Sequence, residues 1–185
     1  ALPPSQLRDL LADAELLAKE QSPELSAPAP AASDGEQAEL TAGFIGEAEV
    51  HLRQVEQFLQ GVYSYPVHLS DELQRALHTL KGSSKMAEIW AVASIITPLE
   101  GLVKEARSMR IAVDEAFIQL VADVLAETRK LVQRLRHSPA SSLEASSALR
   151  ERIQQAEISL MAQAETAEAQ RQAGQIAPDA LNQFL

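Results

Sequence analysis

A chain of 185 residues, with 26 acidic against 16 basic side chains, a net charge of −10 and only 4% aromatic residues, has the size of one domain with flanks or of two small domains. Its 7 glycines and 9 prolines are too few for a collagen-like or wholly disordered chain, so a folded domain is expected. The absence of cysteine excludes disulfides, thiolate metal sites and cysteine nucleophiles, and it suits a reducing compartment, so a cytoplasmic location is expected.

The N-terminal Ala1, followed by Pro3 and Pro4 without a basic-then-apolar leader, reads as part of a longer chain. Residues 5 to 20 carry Leu7, Leu10, Leu11, Ala14 and Leu17 at helical spacing, and residues 22 to 35 hold three prolines among Ala, Ser and acids. A short helix and a linker are predicted over 1–35. From 36 to 60 the apolar positions Leu40, Phe44, Ala48, Leu52, Val55 and Leu59 predict a long amphipathic helix, broken at Gly61 and Tyr65-Pro66. Ser70 with Asp71 and Glu72 makes an N-cap and an acidic first turn for a second helix to about Ala87, with Leu73, Leu77, Leu80 and Ser84 inward.

A third helix is predicted from Ile89 or Trp90 to Met109, with Ile95, Leu99, Leu102, Val103 and Ala106 inward and Pro98 removing one helical hydrogen bond. Asp114 caps a fourth, whose face of Phe117, Leu120, Val121, Val124, Leu131 and Leu135 runs to about Arg136 before Ser138-Pro139. The expected fold is all-α, a four-helix up-down bundle over 36–140 with N- and C-terminal flanking helices. Residues 142 to 172 repeat Leu149, Ile153, Ala156, Leu160 and Ala164, a thin stripe that predicts an accessory helix (domain 141–173) partly packed on the bundle. Residues 174–185 read as a linker to a following module.

The apolar run of 11 residues from Ile89 to Leu99 falls short of the roughly 20 needed to span a bilayer, so no membrane insertion is expected. Charge is neutral in the middle of the chain and acidic at the ends, with no concentrated basic face for nucleic acid. An anionic membrane would repel those ends.

Against this background one histidine stands out. On the second helix, His78 falls roughly 140° from the centre of the core stripe and should face solvent. Asp71, Gln74, Arg75, Gly82 and Lys85 share its sector, and Lys81 lies on its flank. Glycine in an exposed helix costs about 1 kcal/mol relative to Ala, so Gly82 points to close approach of a protein partner. A neutral imidazole nitrogen is a nucleophile near pH 7, and a lysine within one turn can neutralise phosphoryl oxygens, so the set suits a phosphoryl acceptor. Singly each feature is ordinary: surface histidines are mostly incidental, lysines mostly solvated, and helix glycines often reflect tight packing.

The string His78-Thr79-Leu80-Lys81-Gly82-Ser83-Ser84 resembles the signature of histidine-containing phosphotransfer domains, four-helix modules that carry a phosphoryl group on an exposed histidine. The resemblance covers residues 36 to 136, including Phe44-Ile45-Gly46-Glu47-Ala48-Glu49 and Thr97-Pro98-Leu99-Glu100-Gly101-Leu102-Val103. It implies that His78 is phosphorylated, that Lys81 assists the phosphoryl group, and that Gly82 leaves room for the partner. Gln74, Arg75 and Lys85 would complete the docking surface. Glu100 matches a glutamate that in chemotaxis-type kinases hydrogen-bonds one ring nitrogen and holds the other as nucleophile, the role expected here; the bland alternative is a surface acid on the third helix. The family usually has glycine where this chain has Glu88, which puts the turn between the second and third helices in question.

The partners implied are a kinase catalytic domain and a receiver domain, which would bring the ATP and Mg²⁺; no cofactor is expected on this segment, and the isolated module is expected to be monomeric. The setting resembles a chemotaxis-like hybrid histidine kinase, and the Thr97-Pro98-Leu99-Glu100 stretch is similar to those controlling type IV pili and twitching motility. His51, His68 and His137 read as structural, and no histidine belongs to a Glu-x-x-His pair that would build a bundle metal site. Trp90 and the methionines are expected to fill core gaps, and Arg107 and Arg110 to be solvated helix-end charges. Two alternatives are a non-phosphorylated helical scaffold or docking module, and an interaction bundle acting through its acidic tails.

Overall fold

The computed structural model describes residues 34 to 181, and side-chain environments up to residue 169. By contacts the chain divides into residues 1–35 and 36–185, and the second unit is described here. The predicted helix at 5–20 and nearly all of the linker after it lie outside the described residues. Five α-helices follow: α1 (Asp34–Gln60), α2 (Asp71–Met86), α3 (Trp90–Ser108), α4 (Glu115–Leu135) and α5 (Ser147–Leu181), with a 3₁₀ turn at Ala140–Ser142. The described residues contain no strand, only an isolated antiparallel bridge between Val67 and Val113.

The caps fall where the sequence puts them. Ser70 Oγ accepts from Leu73 N at 3.1 Å, and Asp114 Oδ1 accepts from Phe117 N at 2.9 Å, each satisfying an N–H that the helix itself leaves unpaired. The predicted inward residues of α2, α3 and α4 are all buried, and they merge into one core with Phe44, Ala48, Leu52 and Val55 of α1. At the rims of α1 the stripe fades: Leu59 is half-buried and Leu40 exposed. α3 continues through Pro98 and lies centrally, touching α2 most extensively and also α4, α5 and the 3₁₀ turn.

The α2–α3 turn forms despite Glu88. Ile89 N bonds Ser84 O at 2.8 Å and Glu88 N bonds Lys85 O at 3.1 Å, the paired bonds of a Schellman ending, with Glu88 at φ 56° where glycine is favoured. Ile89, fully buried, supplies the hydrophobic lock that offsets the left-handed residue. α3 ends the same way: Ile111 N bonds Ala106 O at 2.9 Å, with Arg110 at φ 55°.

Several expectations need correction. Trp90 is 62% exposed and Met86 70%, so neither fills the core, and Met161 is exposed as well; only Met109 packs partly against it. Residue type misleads here, because Trp90 stands opposite the α3 core stripe when its position is counted at about 100° per residue. Arg107 is no solvated charge: it bonds Gln74 Oε1 and sits 3.1 Å from Asp71 Oδ1, tying the end of α3 to the start of α2. α5 begins at Ser147 and runs to Leu181, through the segment read as a linker from residue 174. Gly174, a weak breaker costing about 1 kcal/mol, does not stop a run rich in Ala and Gln. The thin stripe of α5 does pack: Leu149, Ile153 and Leu160 are buried, and Arg152 pairs with Asp123 of α4 at 2.6 Å. No helix among the described residues is long and apolar enough to cross a membrane.

Candidate functional site

α2 presents His78 outward because Leu73, Leu77 and Leu80 claim its opposite face; the imidazole side chain is 69% exposed. α3 lies alongside and delivers Glu100, whose side chain is 6% exposed, beneath the ring. His78 Nδ1 and Glu100 Oε1 are 3.1 Å apart, and Lys81 Nζ donates to Glu100 Oε2 at 2.7 Å. One buried carboxylate thus holds a histidine and a lysine, one on each oxygen.

The charge on Glu100 decides the chemistry. Burial pushes its carboxyl up, but hydrogen bonds from Lys81 and His78, together with their charges, outweigh burial and leave it below its usual value. Ionised at neutral pH, it only accepts hydrogen bonds, so Nδ1 carries the proton it shares with Oε1. In the neutral ring Nε2 then keeps its lone pair. An exposed imidazole with a fixed tautomer and a cation one turn away is built for nucleophilic attack on an electrophile arriving from solvent.

Around the ring the backbone is bare. A Cβ built on Gly82 meets nothing within 4 Å, so packing inside the molecule does not require the glycine. Gly101, next to Glu100 on α3, is equally open. Beneath them Ser83 and Ser84 are buried, their hydroxyls donating to Thr79 O at 2.9 Å and Lys81 O at 3.1 Å. Small, internally satisfied residues therefore fill the inner face of the motif while its outer face stays open.

The predicted site residues divide into two sets. His78, Lys81 and Glu100 come together as one hydrogen-bonded triplet, and Glu100 is no surface acid. Gly82 and Lys85 lie exposed beyond them toward the α2–α3 turn. Gln74 accepts from Arg107 through its Oε1, and Arg75, with its side chain 77% exposed, pairs with Asp71 one turn back on the same helix. His51 Nδ1 is 2.8 Å from Gln54 Oε1, while His68 and His137 are exposed and make no side-chain hydrogen bond among the described residues. Sequence reasoning passed over Lys104, exposed and without an ion pair among the described residues, four residues after Glu100 and so on the same side of α3. That spacing was the available signal. Among the described residues no cluster of three or more His, Asp or Glu could hold a metal ion.

A family model described as Hpt domain matches residues 39–138, more than half of the chain and all of this site. Among curated proteins the chain finds no match.

Proposed function

The chain belongs to the Hpt-domain family, and on that premise we propose that His78 takes a phosphoryl group from a kinase catalytic domain and passes it to an aspartate of a receiver domain. Histidine phosphotransfer in two-component signalling is the family's chemistry, and the geometry supports the individual roles. The observation that carries them is the 3.1 Å contact from Nδ1 to the buried Glu100, which leaves Nε2 as the free nucleophile in water.

In the first transfer Nε2 bonds to the γ-phosphorus of ATP held by the kinase domain, the bond from that phosphorus to the bridging oxygen breaks, and ADP leaves with the electron pair. Glu100 accepts from Nδ1–H throughout and stabilises the positive charge that develops on the ring. Lys81 stands three residues on and lends positive charge beside the phosphoryl oxygens, while its own contact keeps Glu100 ionised. In the second transfer an aspartate oxygen bonds to phosphorus and the N–P bond breaks, returning the lone pair to Nε2. Positioning and charge carry such steps, so ATP and Mg²⁺ belong to the partner domains and this chain supplies the acceptor. We place it in the cytoplasm, as a module of a chemotaxis-like hybrid kinase of the type IV pilus class; the Thr97-Pro98-Leu99-Glu100 stretch supports that setting.

The test is labelling with radioactive ATP and a cognate kinase domain. The expected label is acid-labile and base-stable, is lost in His78→Gln, and is chased by a receiver domain. Label that persists in His78→Gln removes His78 from the role, and a wild-type chain that never takes label is a helical docking module instead.

A further inference from the structure

Two directions lead away from His78 along the α2–α3 face, and they differ in what they offer. Toward the start of α2 the surface is polar and charged: Asp71, Gln74, Arg75 and Arg107 are linked to one another, and no large apolar side chain stands exposed among them. Toward the α2–α3 turn come Gly82 with open space above it, Lys85 without an ion pair among the described residues, and then Trp90, a large apolar side chain left 62% exposed. Met86, 70% exposed, stands at the same end. Gln37 Nε2 of α1 donates to Ala87 O at 2.8 Å, so α1 also braces that end and brings the exposed Leu40 to it.

Resting on the phosphotransfer reading, we propose that the receiver domain docks off-centre, displaced from His78 toward the α2–α3 turn, with Trp90 as its apolar anchor. Distance permits this. Trp90 precedes Glu100 by ten residues, about 15 Å along α3, and Glu100 marks the level of the histidine ring. A standard footprint of about 800 Å² per partner is about 30 Å across, so it holds both His78 and Trp90 when it extends toward the turn. Tryptophan is the side chain that most often dominates such interfaces. The backbone under Trp90 is already fixed by the Schellman bonds and by buried Ile89, so docking orders little beyond the indole itself.

Charge points to the same occupant. An aspartate that receives a phosphoryl group with Mg²⁺ needs further carboxylates to hold the metal, so its rim is acidic. Lys85 and Lys104, both exposed and both without an ion pair among the described residues, stand on either side of His78, Lys85 toward the α2–α3 turn and Lys104 toward the start of α2, and complement such a rim. Lys81 cannot serve in their place without abandoning the buried Glu100.

The experiment loads the full chain with phosphoramidate and follows transfer to the receiver domain that drains it fastest, over a range of receiver concentrations. In Trp90→Ala the receiver concentration for half-maximal transfer should rise about tenfold or more, with the maximal rate within about twofold, and Trp90→Phe should recover most of the loss. Tyr63→Ala, which removes a still more exposed aromatic, 91% against 62%, from the loop after α1, should match wild type. A wild-type concentration dependence in Trp90→Ala overturns the proposal, as does a loss of equal size in Tyr63→Ala. So does a wild-type dimer in sedimentation that Trp90→Ala dissociates, because the indole would then serve a second copy of this chain. A wild-type chain that takes no phosphate defeats the functional reading itself, whereas one that loads and transfers while Trp90→Ala behaves normally defeats only the docking inference.

Discussion

Two glutamates of this molecule are held below the usual carboxylate value by basic partners, and they serve different ends. Glu56 of α1 faces Arg129 of α4 through two hydrogen bonds of 2.6 and 3.2 Å, with both side chains 38% exposed. Glu100 is buried, and its two oxygens go to two different residues of α2. The first pair is a clasp between helices, where water competes with every contact and the net gain is small. The second cannot be released to water, so its partners are fixed in place and the ring above it has a set tautomer. Burial, more than pairing, separates a clasp from an orienting group.

Glu100→Gln breaks the comparison most severely. It leaves an acceptor for Nδ1 but sets an amide against Lys81, and the phosphorylation rate should fall on the order of 100-fold in a kinase assay. The melting temperature at neutral pH should also fall, because the partners of the ionised carboxylate outweigh the cost of burying it and Lys81 loses its counter-charge. The same variant tests the acid limb. The Glu100 carboxyl is depressed from 4.5 in the folded chain, so its contribution to stability is present above that value and fades as pH falls through the lower folded one. A denaturation series from pH 6 downward should show less acid loss in Glu100→Gln than in wild type.

A third acid, Glu88, sharpens the contrast because backbone geometry rather than a partner sets its cost. At φ 56° a residue with a side chain is strained, so Glu88→Gly should stabilise the bundle by about 0.5–1 kcal/mol in chemical denaturation, with phosphotransfer unchanged. The smallest effect belongs to the clasp. Glu56→Gln should lower the denaturation midpoint only slightly, by less still at high salt, and leave phosphorylation at the wild-type rate. A transfer defect in Glu56→Gln as large as that in Glu100→Gln would erase the distinction between the two sites.

What the sequence determined by itself is what depends on neighbours within a turn or two. Ser70 and Asp114 cap their helices, Leu73, Leu77 and Leu80 bury one face of α2, and His78 is thereby turned outward; these follow from the 3.6-residue period and need no other helix. The outward position of Trp90 was legible by the same count, but the size and apolarity of tryptophan argued for the core. The tertiary structure alone decided what happens across helix boundaries. Glu100 lies on the flank of the α3 core stripe, neither clearly in nor out, and α2 packed beside it is what buries it and supplies both partners, 19 and 22 residues away in the chain. Arg107 reaches Gln74 and Asp71 for the same reason, and Arg129 finds Glu56 across 73 residues. Helical periodicity fixes which way a side chain points from its own axis, whereas the meeting of two axes depends on how all the stripes share one core.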